Sequence, residues 1–128
     1  MRVNKKQVFD KKDLTMTKRV PISFEFFPTK TDAGAEKLKI VHQELQRLNP
    51  EFFSITYGAG GSTRERTLAA INDFNGKGTP VAPHLSCIGD DKVRIAELLD
   101  IYKNQGIDRI VALRGDLPSG QVGLGELP

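Results

Sequence analysis

Phe52-Phe53-Ser54-Ile55-Thr56-Tyr57, followed by Gly58-Ala59-Gly60-Gly61 and then Ser62-Thr63-Arg64-Glu65, is the stretch whose reading decides the fold. A run rich in aromatic and β-branched residues predicts a strand. Four small residues predict a tight connection. A serine three places ahead of a glutamate is the reciprocal cap that opens a helix, and Leu68, Ile71 and Phe74 continue at helical spacing. Strand, short loop and capped helix make one βα unit.

The same alternation extends in both directions. Apolar runs recur at Ile22–Phe27, Val81–Leu85 and Arg109–Arg114, and the four runs start 30, 29 and 28 residues apart, about one βαβ period. Between the first two, Leu38, Val41, Leu45 and Leu48 predict a helix with Asp32 as N-cap and Pro50 as a stop. Between the last two, a helix opening at Asp90 or Asp91 is expected to bury Val93, Ala96, Leu99 and Tyr102, and to end at Gly106 in the left-handed conformation. Four evenly spaced strands with helices between them predict an α/β fold on a parallel sheet. Residues 118–128 hold three glycines and no helical period, and are expected to form a loop or frayed tail.

Composition excludes several classes. The chain has 128 residues, 38% hydrophobic and 27% charged, ordinary for one globular domain and unlike a disordered, collagenous or disulfide-scaffold chain. No apolar stretch reaches the roughly 18 residues of a membrane helix, and the basic N-terminus lacks the apolar segment of a secretory signal. A cytoplasmic protein without a membrane partner is expected. The pI is about 9.1, yet the charge is local. Residues 1–21 carry seven basic and two acidic groups, while residues 22–128 carry 12 basic and 14 acidic. The first 21 residues therefore read as a basic, solvated arm without the aromatic interleaving of a nucleic-acid binder. Cys87 is the single cysteine, so an intrachain disulfide is excluded. His42 and His84 lack metal-ligand spacing, and no metal site is expected.

Polar residues fall where the strands end. By alternation, Ile22, Phe24 and Phe26 share one face of the first strand, and Ser23, Glu25 and Phe27 the other. Glu25 inside so apolar a run is expected to be desolvated, with a raised pKa suited to general acid work; the bland alternatives are a buried basic partner or a solvated sheet edge. Thr56, His84, Arg114 and Asp116 lie at or near the C-terminal ends of the other three strands, where parallel α/β sheets bind ligands. The glycine loop after the second strand lacks the third glycine of a dinucleotide fingerprint, Thr63 standing there. It reads instead as a surface that a flat ligand approaches closely.

Four segments, Ser23-Phe24-Glu25-Phe26-Phe27-Pro28, Thr56-Tyr57-Gly58-Ala59-Gly60-Gly61-Ser62, Pro83-His84-Leu85-Ser86-Cys87 and Ala112-Leu113-Arg114-Gly115-Asp116-Leu117-Pro118, closely resemble methylenetetrahydrofolate reductase in order and spacing. Thr29 departs from the family's usual second proline. The resemblance implies a (β/α)8 TIM barrel, with residues 22–117 forming about its first four βα units. It implies FAD-dependent reduction of 5,10-methylenetetrahydrofolate to 5-methyltetrahydrofolate with NADH or NADPH, in one-carbon metabolism and methionine biosynthesis, by a homo-oligomer in the full-length form. Glu25 then matches the acid that protonates a folate nitrogen and opens the five-membered ring to an iminium, which takes hydride from reduced flavin. Asp116 matches a catalytic carboxylate near the flavin pyrimidine edge and the bound folate. Thr56 matches a position near the nicotinamide, and Tyr57, Ala59, His84, Arg114 and Gly115 match flavin-lining positions.

Length is the main departure, since a (β/α)8 barrel takes roughly 250 residues. Two further readings therefore stand beside the enzyme: a non-catalytic half-barrel fragment or interaction module, and an unrelated α/β nucleotide-binding domain with an open sheet.

Overall fold

The computed structural model describes residues 19–57 and 61–115, the side chains of residues 61–63 excepted. Strands β1 (Ser23–Phe26), β2 (Phe52–Ile55), β3 (Val81–Ser86) and β4 (Val111–Leu113) alternate with helices α1 (Asp32–Gln46), α2 (Gly61–Phe74) and α3 (Lys92–Asn104). The sheet is parallel in the order β1-β2-β3-β4. This is the expected α/β architecture, four successive strands of a partial TIM barrel. Three strands are shorter than the apolar runs that signalled them: β1 excludes Ile22 and Phe27, β2 excludes Thr56 and Tyr57, and β4 excludes Arg109, Ile110 and Arg114, whereas β3 extends one residue further, to Ser86.

Local chemistry sets the helix ends. Thr31, rather than Asp32, is the N-cap of α1, its hydroxyl accepting from the Gly34 N–H at 3.0 Å. Asp32 occupies the first turn, where a carboxylate complements the helix dipole. Asp91 caps α3, accepting from the Arg94 N–H at 2.8 Å. That helix closes in a Schellman motif: Gly106, at φ 75°, donates to the Lys103 carbonyl, and Ile107 to that of Tyr102. In the basic N-terminal segment, residues 1–18 lie outside the described residues, but Arg19 donates to the Leu48 and Asn49 carbonyls at the end of α1.

The core lies between the helices and one face of the sheet. Phe26, Phe53, Ile55, Val81 and Leu85 pack with Ile71 and Phe74 of α2 and Leu98 and Tyr102 of α3. The expected buried face of α3 is corrected: Val93 is 66% exposed and Leu99 40%, and Ala96 is exposed, whereas Ile95, Leu98 and Tyr102 face the core. At 100° per residue, Val93 and Tyr102 stand on opposite sides of a helix, while 95, 98 and 102 fall within about 60°. On α1, Val41 is likewise exposed, as is Leu48 beyond its end; the core-facing stripe is His42, buried, with Leu38 and Leu45 partly buried beside it.

His42 is 3% exposed, stacked on Phe74 with ring centroids 4.1 Å apart, and its Nε2 has no hydrogen-bond partner among the described residues. Burial, reinforced by the charge of Lys77, lowers its pKa below 6.5. A histidine kept neutral by folding contributes stability above its unfolded pKa, which is lost as pH falls through the folded value. Stability is therefore expected to decline below about pH 6.5, by at most about 1.4 kcal/mol per pH unit for this single proton. His42→Phe should flatten that decline in urea melts between pH 7 and pH 5. An unchanged slope would assign the acid sensitivity elsewhere.

Candidate functional site

Paired residues of parallel strands share a face, so the register Glu25↔Ser54, Ser54↔Ala82 and His84↔Val111 places Ser23, Glu25, Phe52, Ser54, Ala82, His84, Ser86, Val111 and Leu113 on the face away from the helices. In a closed barrel this face is the interior. Here it is open: Phe27, in line with it, is 71% exposed and Leu113 42%.

Two of the sequence-predicted site residues meet on it. His84 Nε2 lies 3.2 Å from Glu25 Oε2, although the two residues stand on β3 and β1 with β2 between them. Ser54 and Ala82, small and buried, leave room for the longer side chains to lean toward each other across the middle strand. The His84 side chain is 8% exposed and that of Glu25 51%. The expected desolvation of Glu25 is therefore absent from this chain, because nothing among the described residues covers the open face. Both bland alternatives describe it: its partner is the buried imidazole of His84, and β1 is an edge of the sheet among the described residues.

Thr56 follows β2 and is half-buried; its N–H donates to the Phe26 carbonyl at 2.9 Å, and its carbonyl accepts from Thr67 Oγ1 of α2 at 3.2 Å. Arg114 and Gly115 follow β4. The N–H groups of Cys87 and Ile88 donate to the carbonyls of Leu113 and Arg114 at 3.0 and 2.8 Å, so the two segments stay hydrogen-bonded just past β3 and β4. Gly115 has φ 89°, and a Cβ there would collide with Ser86 Oγ and Ile88 Cγ2. Gly115→Ala is expected to cost about 1–3 kcal/mol through overpacking and backbone strain, read as a lower urea midpoint; an unchanged midpoint would show that this loop repacks freely. Ala59 and Asp116, with the side chains of Ser62 and Thr63, lie outside the described residues; α2 starts at Gly61, so Ser62 falls inside its first turn and not at the N-cap the sequence suggests.

Tyr57 is placed differently from the other predicted site residues. It continues the helix-facing set of Phe53 and Ile55, packs against the core and is half-buried. Its phenol oxygen accepts from Arg64 Nε and Nη2 at 3.0 and 2.6 Å and donates to Asp90 Oδ2 at 3.0 Å. Arg64 Nη2 also reaches Asp90 Oδ2 at 2.8 Å, and the Asp90 side chain is 10% exposed. Burial pushes the Tyr57 phenol above its ordinary pKa, and the phenol hydrogen bond raises that of Arg64. Sequence reading missed Arg64 and Asp90 as a pair. They are 26 residues apart, in the first turn of α2 and in the connection after β3, and no periodicity relates them.

The open face thus carries hydrogen-bonding groups of both characters, an acid and an imidazole in contact, at the carboxyl half of a parallel sheet. Known proteins are similar to this sequence. A protein-family model described as Methylenetetrahydrofolate reductase matches residues 11–126. The 5,10-methylenetetrahydrofolate reductase of Pectobacterium carotovorum is 38% identical over 116 residues, covering 90% of this chain and 39% of that protein. The Escherichia coli K12 protein of the same name is 41% identical over 103 residues, covering 80% of this chain and 35% of its own length. Methylenetetrahydrofolate reductase (NADH) 1 of Arabidopsis thaliana is 38% identical over 117 residues, 90% of this chain and 20% of that protein. The chain spans about two-fifths or less of the length of these relatives. With a match over most of its length and four parallel βα-type strands in sequence order, the chain belongs to the methylenetetrahydrofolate reductase family.

Proposed function

We propose that this chain supplies the first half of a barrel that reduces 5,10-methylenetetrahydrofolate to 5-methyltetrahydrofolate, with FAD as cofactor and NADH or NADPH as electron donor. The observation that carries this reading is the contact of Glu25 with His84 on an open sheet face in a chain of this family. When bound, the flavin would carry hydride between the nicotinamide and the folate.

The described residues fit such a group. Ser54 and Ala82 make a low floor beside the half-buried Thr56, and a planar ring needs close approach as well as hydrogen-bonding groups at its edge. Thr56, His84, Arg114 and Gly115 would hold it, together with Ala59 and Asp116 and the main chain of Tyr57. Glu25 would hold the proton that a folate nitrogen needs before its ring opens, and His84 would fix the direction of that carboxyl group. Asp116 would sit beside the flavin and the folate.

The test is a barrel in which residues 11–126 replace the matching stretch of the Escherichia coli relative. It should bind FAD and oxidise reduced nicotinamide when methylenetetrahydrofolate is supplied; a colourless, inactive but folded barrel would overturn the reading. In the active barrel, Asp116→Asn should raise the flavin reduction potential and weaken folate binding. A negative charge beside the ring opposes formation of the anionic reduced flavin. An unchanged potential would place Asp116 away from the ring.

A further inference from the structure

We infer that Arg64 and Asp90 are positioning residues for the carboxyl end of β2, holding Thr56 and Tyr57 where a flat ligand at the sheet mouth would meet their main chain. This rests on the flavin reading above. Each member of the Tyr57–Arg64–Asp90 triangle touches the other two, through four hydrogen bonds of 2.6–3.0 Å. The bonds to ionised groups are of the stronger, charge-assisted kind.

Asp90 is not there to cap α3, because Asp91 does that. Nor is it a solvated surface charge: its side chain is 10% exposed, and a carboxylate so enclosed needs its partners. Among the described residues, the other cation near it, Arg94, stays 3.9 Å away and 62% exposed. The consequence of the triangle lies in what it joins. Tyr57 leaves β2, Arg64 opens α2 and Asp90 lies between β3 and α3, so the departures of two neighbouring strands are fixed to each other. Thr67 adds a second tie, donating to the carbonyl of Thr56. Both ties act from the helix side, leaving the opposite face of Thr56 free for a ligand. A binding surface set before the ligand arrives loses less entropy on binding.

The full chain has two tyrosines and no tryptophan, so Tyr102→Phe makes Tyr57 the sole emitter. In that background Asp90→Ala and Arg64→Gln should raise acrylamide quenching of Tyr57 about threefold as the ring is released to solvent. Introduced into the hybrid barrel with the Escherichia coli relative, the same two substitutions should lower FAD affinity about tenfold. Asp90→Asn, which still accepts from the phenol O–H, should lie between these and the parent. If Tyr57 stays as shielded in both variants as in the parent, the triangle does not hold it and the inference fails. If Tyr57 is released while the FAD affinity of the hybrid barrel is unchanged, the triangle is structural only and the positioning role is overturned. A folded hybrid barrel that binds no FAD would remove the flavin reading itself, and the positioning role with it.

Discussion

Glu25→Gln in the completed barrel is expected to leave flavin bound and reducible by the nicotinamide, while folate reduction falls by about 10²–10⁴, the usual contribution of a positioned general acid. Glutamine keeps the size of the side chain and an oxygen to accept from His84, 3.2 Å away, so the face should keep its shape. What it loses is the proton. Only the step that opens the folate ring needs that proton, so the two half-reactions should part company. Flavin absorbance follows each half-reaction separately, with reduced nicotinamide in one and methylenetetrahydrofolate in the other. A collapse of flavin reduction with folate turnover intact would show that Glu25 serves the nicotinamide step instead. Equal losses in both would point to a disturbed flavin site.

The residues that made the fold legible and those that hid the site differ in physical kind. The strands announced themselves through β-prone runs at an even period, and the sheet order followed because successive parallel strands joined by helices lie side by side. Helix faces were harder. Val93, Ala96, Leu99 and Tyr102 look regular on paper, yet three-residue steps lag a 3.6-residue turn, so the series walks around α3 and only Tyr102 is fully buried. On α1 the centre of the buried face is His42, which an apolar pattern passes over. Thr31 and Asp32 are both good caps, and the backbone chose the first. Glu25 and His84 could each be placed on a strand and near its end, but their contact across β2 depends on the small side chains of Ser54 and Ala82, a packing fact. The solvent exposure of Glu25 depends on what covers the face, which no single strand records. Tyr57 shows the limit most clearly. The resemblance marks it as a flavin-lining position without saying which of its atoms line the flavin, and strand alternation turns its side chain to the helices, where Arg64 and Asp90 hold it.

Residues 1–128 purified alone are expected to be colourless, to carry no stoichiometric FAD, and to elute as a dimer or as larger aggregates. The sheet order leaves β1 and β4 each with one neighbour among the described residues. The Ile22 and Phe26 carbonyls accept from β2, so by alternation the backbone groups of Ser23 and Glu25 face the free edge, and unpaired edges invite another strand. The open face adds apolar surface at Phe27 and Leu113, 71% and 42% exposed. Burying one large apolar side chain is worth about 1.5–3 kcal/mol, against a typical domain stability of about 5–15 kcal/mol, so leaving several in water is poorly tolerated. A second copy resolves both defects together. A two-fold axis along the strand direction keeps all strands parallel, sets β1 of one copy beside β4 of the other at both seams, and turns the two open faces inward. Such pairing is isologous and closed, so it stops at two. Failure to find that register leaves the edges free to recruit further copies, which is aggregation. In neither state is a FAD site of the family kind complete, since the relatives devote most of their length to residues beyond this stretch. Size-exclusion chromatography with light scattering gives the mass and a visible spectrum gives the flavin content. A stable yellow monomer would show that four strands and three helices suffice, and the argument from open edges would fall.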